Sequence, residues 1–177
     1  MAKKAYKEPR TWAEVDLATE VAEAKRRFEA ELKNLDLTSC TARPVVKIKP
    51  MKRARGNHAE SIAVYRSGTA IFGNPIFWIS DRFVETAMEF DGLSPSDVVG
   101  CLLDTICHEY GHALCDLLRL GDRRNGTDNY RRLVLARYRR DEEVFAEEFG
   151  AVLAGRSGSA YVFDTIEAIK KILGDSD

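Results

Sequence analysis

The sequence has little histidine, no long apolar run and no large excess of either charge. Only 3 of the 177 residues are histidine, and the formal net charge is −1 at pH 7. A nearly neutral chain has no overall electrostatic attraction for nucleic acids or membranes. No apolar run reaches the ~20 residues of a membrane-spanning helix, and no apolar segment follows the lysine-rich start as it would in a secretory signal. We therefore expect a cytoplasmic protein with no membrane partner.

The four cysteines do not have the pattern of a disulfide framework. Cys101, Cys107 and Cys115 fall on one predicted helix, where they could not readily pair with one another, and Cys40 lies far upstream. We expect reduced thiols in a protein of bacterial or phage origin. The length predicts a single domain over residues 11–177, preceded by a basic flexible tail at 1–10.

Two of the three histidines lie four residues apart in the stretch Cys107–His112, which is Cys-His-Glu-Tyr-Gly-His. Positions i and i+4 of a helix share one face, so His108 and His112 can reach one metal ion with Glu109 beside them. This H-E-x-x-H arrangement is typical of zinc peptidases, where the histidines bind Zn²⁺ and the glutamate acts as general base. The alternative is a metal-free pair of core histidines, which leaves the glutamate without a role.

The sequence around this motif predicts a buried helix over residues 94–120. Ser94 is a suitable N-cap and Pro95 suits the first helical position. Apolar residues then cover most of the helix circumference, as in a buried helix. The remaining stripe is polar and consists of Asp104, Thr105, His108, Glu109, His112 and Asp116. Because buried polar groups need partners, a bound cation would account for this stripe.

The rest of the chain predicts an α+β fold in which helices dominate. A capping box at Thr11–Glu14 predicts an N-terminal helix over residues 11–36. Alternating side chains after Pro44 predict a small antiparallel sheet over residues 44–80, with a hairpin turn at Arg66-Ser67-Gly68. An edge strand of such a sheet could hold a peptide substrate by main-chain pairing.

The segments on either side of the motif helix are also predicted to be largely helical. Residues 81–90 predict a short helix before it. After it, residues 121–129 form a long polar loop, either a flap over the site or a connector. Residues 130–140 are basic and predicted to be helical, and further helices are expected at 141–155 and 163–174.

A catalytic zinc takes three protein ligands and keeps one position open. No histidine follows His112, so the third ligand is expected to be a carboxylate. The acidic helix at 141–155 is the natural source, since Glu143 and Glu147 lie four apart on one face. Cys115 and Asp116, directly behind the motif, remain alternative ligands.

The motif together with Asp141–Leu153 resembles the gluzincin metallopeptidases, in particular ImmA/IrrE-like and ArdC-like peptidase domains. The E-E-x-x-A-E segment of the latter is similar to Glu142–Glu147 here, and the resemblance covers about the C-terminal half of the chain. It implies a minimal zincin-like fold with Glu143 as the third zinc ligand. It also implies that Glu147 lies behind the metal and orients a ligating histidine.

The expected activity is zinc-dependent hydrolysis of peptide bonds, in a specific cytosolic regulatory protein. A zinc ion on His108, His112 and Glu143 would lower the pKa of its water to about 7 and polarise the substrate carbonyl. Glu109 would pass the proton of the water to the leaving amine.

The oxyanion formed in this reaction also needs a hydrogen-bond donor, and tyrosine is a common one. Tyr138 is the candidate we place in the site, and Tyr130 and Tyr161 remain alternatives because each could equally be a packing residue. Asp104 or Asp116 could orient one of the histidines.

Two further interpretations remain open. The protein could be a non-proteolytic, zinc-stabilised interaction or antirestriction-type protein of phage or mobile-element origin. The basic segments Lys47–Arg55 and Arg131–Arg140 could also make weak contact with nucleic acid, although most charge runs are simply solvated. His58 is expected to be a surface histidine. The sequence does not indicate an oligomeric state.

Overall fold

The computed structural model of the chain describes residues 10–38, 45–50, 63–66, 75–89 and 92–174. Within these ranges the helices are α1 (Leu17–Asn34), α2 (Phe83–Glu89), α3 (Val98–Asn125), α4 (Glu142–Leu153) and α5 (Ala160–Gly174). The strands are β1 (Val45–Lys49), β2 (Ala63–Tyr65) and β3 (Ile76–Ser80). Single turns of 3₁₀ helix lie at Trp12–Glu14 and Pro95–Asp97, and one turn of π-helix lies at Arg131–Leu135.

The three described strands form a mixed sheet in the order β1-β3-β2. Strand β1 runs parallel to β3, with Val45 opposite Ile76, whereas β2 is antiparallel to β3, with Ala63 opposite Ile79. The α+β class agrees with the sequence, but the prediction of an antiparallel sheet is wrong for β1. A parallel pair needs a long crossover connection, and the chain between β1 and β3, which includes β2, provides it.

Helix starts follow the predicted capping residues, with one change of boundary. Ser94 is the N-cap, as predicted: both its hydroxyl and its backbone N–H donate to the Asp97 carboxylate, which forms a capping box on the 3₁₀ turn before α3. The box at Thr11–Glu14 is also present, but it caps only the 3₁₀ turn. Asp16 then accepts a hydrogen bond from the backbone of Thr19 and starts α1 afresh. The predicted helix 11–36 is therefore two elements.

Helix α3 continues beyond the predicted end at residue 120 to Asn125, so most of the predicted flap is helical. Gly126 ends the helix in the left-handed conformation at φ 65°, as is common at this position. The Asp122 carboxylate accepts hydrogen bonds from the backbone of Asn129 and Tyr130. These bonds tie the short connection to the helix, which argues against a free flap.

Helix α3 lies at the centre of the core and contacts α1, α4 and β2. An aromatic row crosses these helices: Phe28 of α1 meets the ring edge of Tyr110 at 5.2 Å, and Tyr110 in turn contacts Phe149 of α4 at 6.1 Å. All three side chains are fully buried. The row holds both neighbouring helices against the helix that carries the motif.

Two glycines let α3 and α4 approach to backbone contact. A Cβ added at Gly111 would lie 2.9 Å from the Cα of Ala146, and one added at Gly150 would lie 2.9 Å from the backbone nitrogen of His108. Neither position could hold a larger residue without moving the helices apart. This close crossing places the first turns of α4 over the polar stripe of α3.

The remaining predicted helices have shifted boundaries, and the helix predicted at 130–140 is only partly present, because residues 136–140 form turns after the π-helical turn. Helix α4 spans nearly the predicted 141–155, and α5 begins at Ala160, before the predicted residue 163. No helix in the described residues has the length and apolar character needed to cross a membrane. The tail up to residue 9, Cys40, the loop with His58 and the predicted strand at 69–72 lie outside the described residues.

Candidate metal centre

Three side chains from α3 and α4 bring one ligand atom each to a common point. The Nε2 atoms of His108 and His112 are 3.2 Å apart. The Glu143 carboxylate lies against both: its Oε2 is 3.3 Å from His108 Nε2, and its Oε1 is 3.4 Å from His112 Nε2. In a tetrahedral zinc site with ligand bonds of ~2.05 Å, neighbouring ligand atoms are ~3.3 Å apart. The two imidazoles and the carboxylate therefore approach one another closely enough to share one zinc ion.

The two alternative third ligands lie elsewhere. Within the described residues, the group of His, Cys, Asp and Glu side chains that could share one ion consists of His108, His112 and Glu143. Cys115 is fully buried in the core, and burial raises the pKa of its thiol well above the usual value. Asp116 instead accepts hydrogen bonds from Tyr65 and Arg119.

His112 is fixed by a carboxylate that the sequence did not single out. Its second ring nitrogen, Nδ1, lies 2.9 Å from Glu142 Oε1. The other oxygen of Glu142 is bound by the guanidinium of Arg119 and by the Tyr130 hydroxyl, at 2.8 Å from the latter. A histidine ligand whose far nitrogen donates to a fixed carboxylate keeps the ring orientation and tautomer that metal binding needs.

These contacts set the charge of the His112–Glu142 pair. Burial opposes protonation of His112, but its hydrogen bond to Glu142 and the charges of Glu143 and Glu109 outweigh that effect, and its pKa is raised. Burial likewise favours a neutral Glu142, yet its bonds with His112 and Tyr130 prevail and lower its pKa. The carboxylate therefore stays ionised beside the ring.

Glu109 lies on the same side of α3 as the histidines and is held by the sheet. The backbone N–H of Tyr65, on β2, donates to Glu109 Oε2 at 2.5 Å. Burial raises the pKa of Glu109, and the Tyr65 bond and the neighbouring histidines only partly offset that effect. A carboxylate with a raised pKa is better matched to accepting and returning a proton near neutral pH.

A second set of contacts connects β2 with α3 and α4. The Tyr65 hydroxyl donates to Asp116 Oδ2 at 3.0 Å, and Arg119 donates to Asp116 Oδ1 at 2.9 Å. Since Arg119 also binds Glu142, the contacts run without a break from β2 to the carboxylate behind His112. This network fixes one wall of the site.

His108 is held differently. Its side chain is 32% exposed, against 16% for His112, and in the described part of the chain its Nδ1 has no hydrogen-bond partner. Glu147 lines a second cavity beside it, of about 310 Å³, together with Asp104. Glu147 itself makes no hydrogen bond or ion pair with any described residue. Glu147 was predicted to orient a ligating histidine. In the structure it is Glu142 that does so, and the histidine is His112.

The ligand atoms face a cavity of about 320 Å³ between α3, α4 and β2. Its lining consists of Ala63, Tyr65, His108, Glu109, His112, Asp116, Arg119, Glu142 and Glu143. This volume is at the lower end of the ~300–1,000 Å³ found for small-molecule sites. It fits the reacting segment of a longer molecule better than a whole ligand.

The structure places the three candidate tyrosines outside this cavity. Tyr138 is buried, and its hydroxyl bonds to Thr165 of α5 at 3.2 Å, so it is a core residue. Tyr161 is 48% exposed. Tyr130 contacts Glu142 behind the histidine, where burial raises the pKa of its hydroxyl to about 12. The hydrogen-bond donors that do line the cavity are Tyr65 and Arg119.

Sequence reasoning missed three residues of this site: Tyr65, Arg119 and Glu142. The sequence carried a signal for only one of these three residues, Arg119. Arg119 lies three residues after Asp116 and seven after His112, so it shares their face of the helix.

We found no significant match of this chain to a protein-family model, a curated protein or a solved structure.

Proposed function

We propose that this protein is a zinc-dependent metallopeptidase of the gluzincin type that hydrolyses peptide bonds in a protein or peptide substrate. The close approach of the two imidazoles to each other, at 3.2 Å, and of the Glu143 carboxylate to both, at 3.3 and 3.4 Å, is the observation that supports it most. A structural zinc site is normally closed by four protein ligands, whereas a catalytic one keeps a position open. Three ligands beside an open cavity favour the catalytic kind.

The residues of the site divide the chemistry between them. Zinc held by His108, His112 and Glu143 would polarise the substrate carbonyl and acidify a water molecule. Glu109, whose carboxylate lies beside the histidines, accepts the proton of that water and returns it to the leaving amine. Arg119 lines the cavity and has several N–H donors, so it is the candidate donor for the developing oxyanion, whereas the Tyr65 hydroxyl already donates to Asp116.

The substrate class follows from the shape of the site. Strand β2 pairs with β3 along one edge, and Ala63 and Tyr65 on it line the cavity. Among the described strands β2 lies at one edge of the sheet, and an extended peptide could run alongside it and form main-chain hydrogen bonds. The small cavity would then hold the scissile segment of a chain that continues on both sides.

The first test is the metal content of the purified protein. We expect about one zinc per chain, lost in the Glu143→Ala variant because two histidines alone bind zinc weakly. Glu147→Ala is the matched control on the same helix, and it should keep the metal because Glu147 does not contact the ligand atoms. Absence of zinc in the wild type, or full zinc in Glu143→Ala, would contradict the proposed site.

The second test separates the peptidase from a zinc-stabilised interaction protein. Glu109→Gln removes the general base but none of the ligand atoms, so zinc content should stay the same. Cleavage of a diverse peptide library, read by mass spectrometry, should fall by about 10²–10⁴-fold. Cleavage at the wild-type rate in this variant would reject the mechanism. A zinc-loaded wild type that cleaves neither the library nor a partner protein captured with Glu109→Gln would favour the interaction protein.

A further inference from the structure

A third cavity, separate from the metal centre, is lined mainly by arginine. It has a volume of about 670 Å³ and lies on the segment between α3 and α4. We call it the arginine cleft and define it by its lining residues, Arg131, Leu135, Ala136, Arg139 and Arg140. None of these residues lines the metal-centre cavity.

The charge in this cleft is not neutralised within the described part of the chain. Residues 130–140 contain five arginines and no acidic residue. Arg137 donates to Thr165, and Arg132 donates to Asn129. The three arginines of the cleft are exposed and form no ion pair or side-chain hydrogen bond with any described residue. Several like charges around one cavity repel one another, and an anion in the cavity would relieve that repulsion.

The backbone holds two of these arginines in an unfavourable conformation. Arg139 and Arg140 have φ of 54° and 64°, in the left-handed region that costs a side-chain-bearing residue about 1–2 kcal/mol. The turn is kept by a hydrogen bond from the Arg140 N–H to the Leu135 carbonyl at 2.7 Å. Glycine or asparagine would fit this turn better, so arginine at these two positions costs stability.

The core fixes the turn that presents them. Leu133, Val134 and Tyr138 lie in the same segment and are all buried. Tyr138 packs edge-to-face on Phe145 at 5.2 Å, which joins the turn to α4. The guanidinium groups of the cleft therefore project from a fixed backbone, which lowers the entropy lost on binding.

We propose that the arginine cleft binds the phosphate groups of a nucleic-acid strand. The planar guanidinium fork matches the geometry of phosphate oxygens, and every basic residue of the segment is arginine. Apart from arginine, the lining consists of Leu135 and Ala136, which offer neither hydrogen bonds nor an aromatic face for recognising a base. The contact is thus to the backbone of the strand and does not depend on base sequence.

The test measures binding of a labelled single-stranded oligonucleotide by fluorescence anisotropy, between about 50 and 200 mM salt. We compare the wild type with Arg139→Gln/Arg140→Gln and with a control, Arg26→Gln/Arg27→Gln. The control removes the same charge from exposed α1 arginines that already pair with Glu23. The cleft variant should bind about tenfold more weakly, and its salt slope should be smaller by about two. The control should bind like the wild type.

A second variant distinguishes loss of the site from loss of the fold. Arg139→Gly/Arg140→Gly relieves the backbone strain, so it should melt no lower than the wild type while binding as weakly as the glutamine variant. Glu109→Gln should bind the strand normally, because this proposal does not depend on peptidase activity.

Three outcomes would overturn the proposal. The first is that the wild type does not bind the oligonucleotide, or that the cleft variants bind it with unchanged affinity and salt slope. The second is that ATP or pyrophosphate binds more tightly than the strand and displaces it, which would make the cleft a small-phosphate site. The third is that polyglutamate competes as well as the oligonucleotide does, which would identify an acidic protein as the ligand.

Discussion

The two histidines of the motif lie on one helix face but are positioned by different means. His112 is held through its side chain, by Glu142 and the groups around that carboxylate. His108 is held through its backbone, because Gly150 of α4 lies against its nitrogen and Cα. Its ring is twice as exposed, at 32% against 16%. The ring of His112 is thus oriented before a metal binds, whereas for His108 only the position of the backbone is fixed.

This difference shows how a small protein can build a three-ligand site. A second buried carboxylate, placed behind His108, would carry a desolvation penalty of its own. The hydrogen bond to the His112 ring fixes the orientation of one ligand. The close crossing of α3 and α4 fixes the position of the site. The metal itself would orient the second ring.

The largest expected effect comes from disturbing the backbone contact that positions His108. Gly150→Ala would place a methyl group 2.9 Å from the His108 nitrogen, so the helices must separate. We expect the free energy of unfolding to fall by about 1–3 kcal/mol and zinc to be lost, since the Glu143 carboxylate moves away from both rings. Gly100→Ala is the control, because an added methyl there has no neighbour within 4 Å. Chemical denaturation and zinc titration measure both effects, and equal behaviour of the two variants would contradict this account.

The next largest effect is expected when the contact of Glu142 with the His112 ring is weakened. Glu142→Gln keeps the shape but removes the charge that orients the imidazole. Because such outer partners typically contribute 10–100-fold in metal affinity, we expect zinc to bind about 10–100 times more weakly. Competition with a chelator measures this loss, and a higher pH favours the neutral His112 that binds metal, because the pKa of this residue is raised. Glu147→Gln, on the less supported side, should bind zinc like the wild type; a similar loss there would remove the distinction between the two histidines.

The parts of this site that the sequence predicts are local in the chain. Four-residue spacing puts His108 and His112 on one face in any helix, and Ser94 is, as expected, the N-cap of the turn that leads into α3. Glu143 came from a resemblance to a pattern of two helices rather than from any local rule. The structure brings it to the two rings.

The missed parts depend on contacts between distant segments. Glu142, Glu143 and Glu147 are equivalent by propensity, and their positions relative to the histidines depend on how α4 crosses α3. That crossing is set by Gly111 and Gly150, whose role is visible only when the helices meet. Tyr138 was chosen for its place in the sequence, yet its ring faces α5. The parallel pairing of β1 with β3 is likewise non-local.

The smallest expected effect compares the two arginines nearest the site. Arg119 pairs with Glu142 and Asp116 on the His112 side, and Arg156 pairs with Asp104 at 3.2 Å on the His108 side. Arg119→Met leaves two carboxylates without their cation, so Glu142 turns more easily toward water and holds His112 less well. We expect zinc affinity to fall about threefold, part of the full effect of losing Glu142.

Arg156→Met is the matched control on the other side of the motif. Both members of its ion pair are about half exposed, and exposed pairs contribute about 0–1 kcal/mol to stability. Because His108 is positioned by its backbone, loss of this pair should leave zinc affinity unchanged within twofold. A loss as large as that of Arg119→Met would mean that surface charge near the cavity, rather than the hydrogen bond to His112, sets the affinity. An unchanged Arg119→Met would instead mean that Tyr130 alone is enough to fix Glu142 in place.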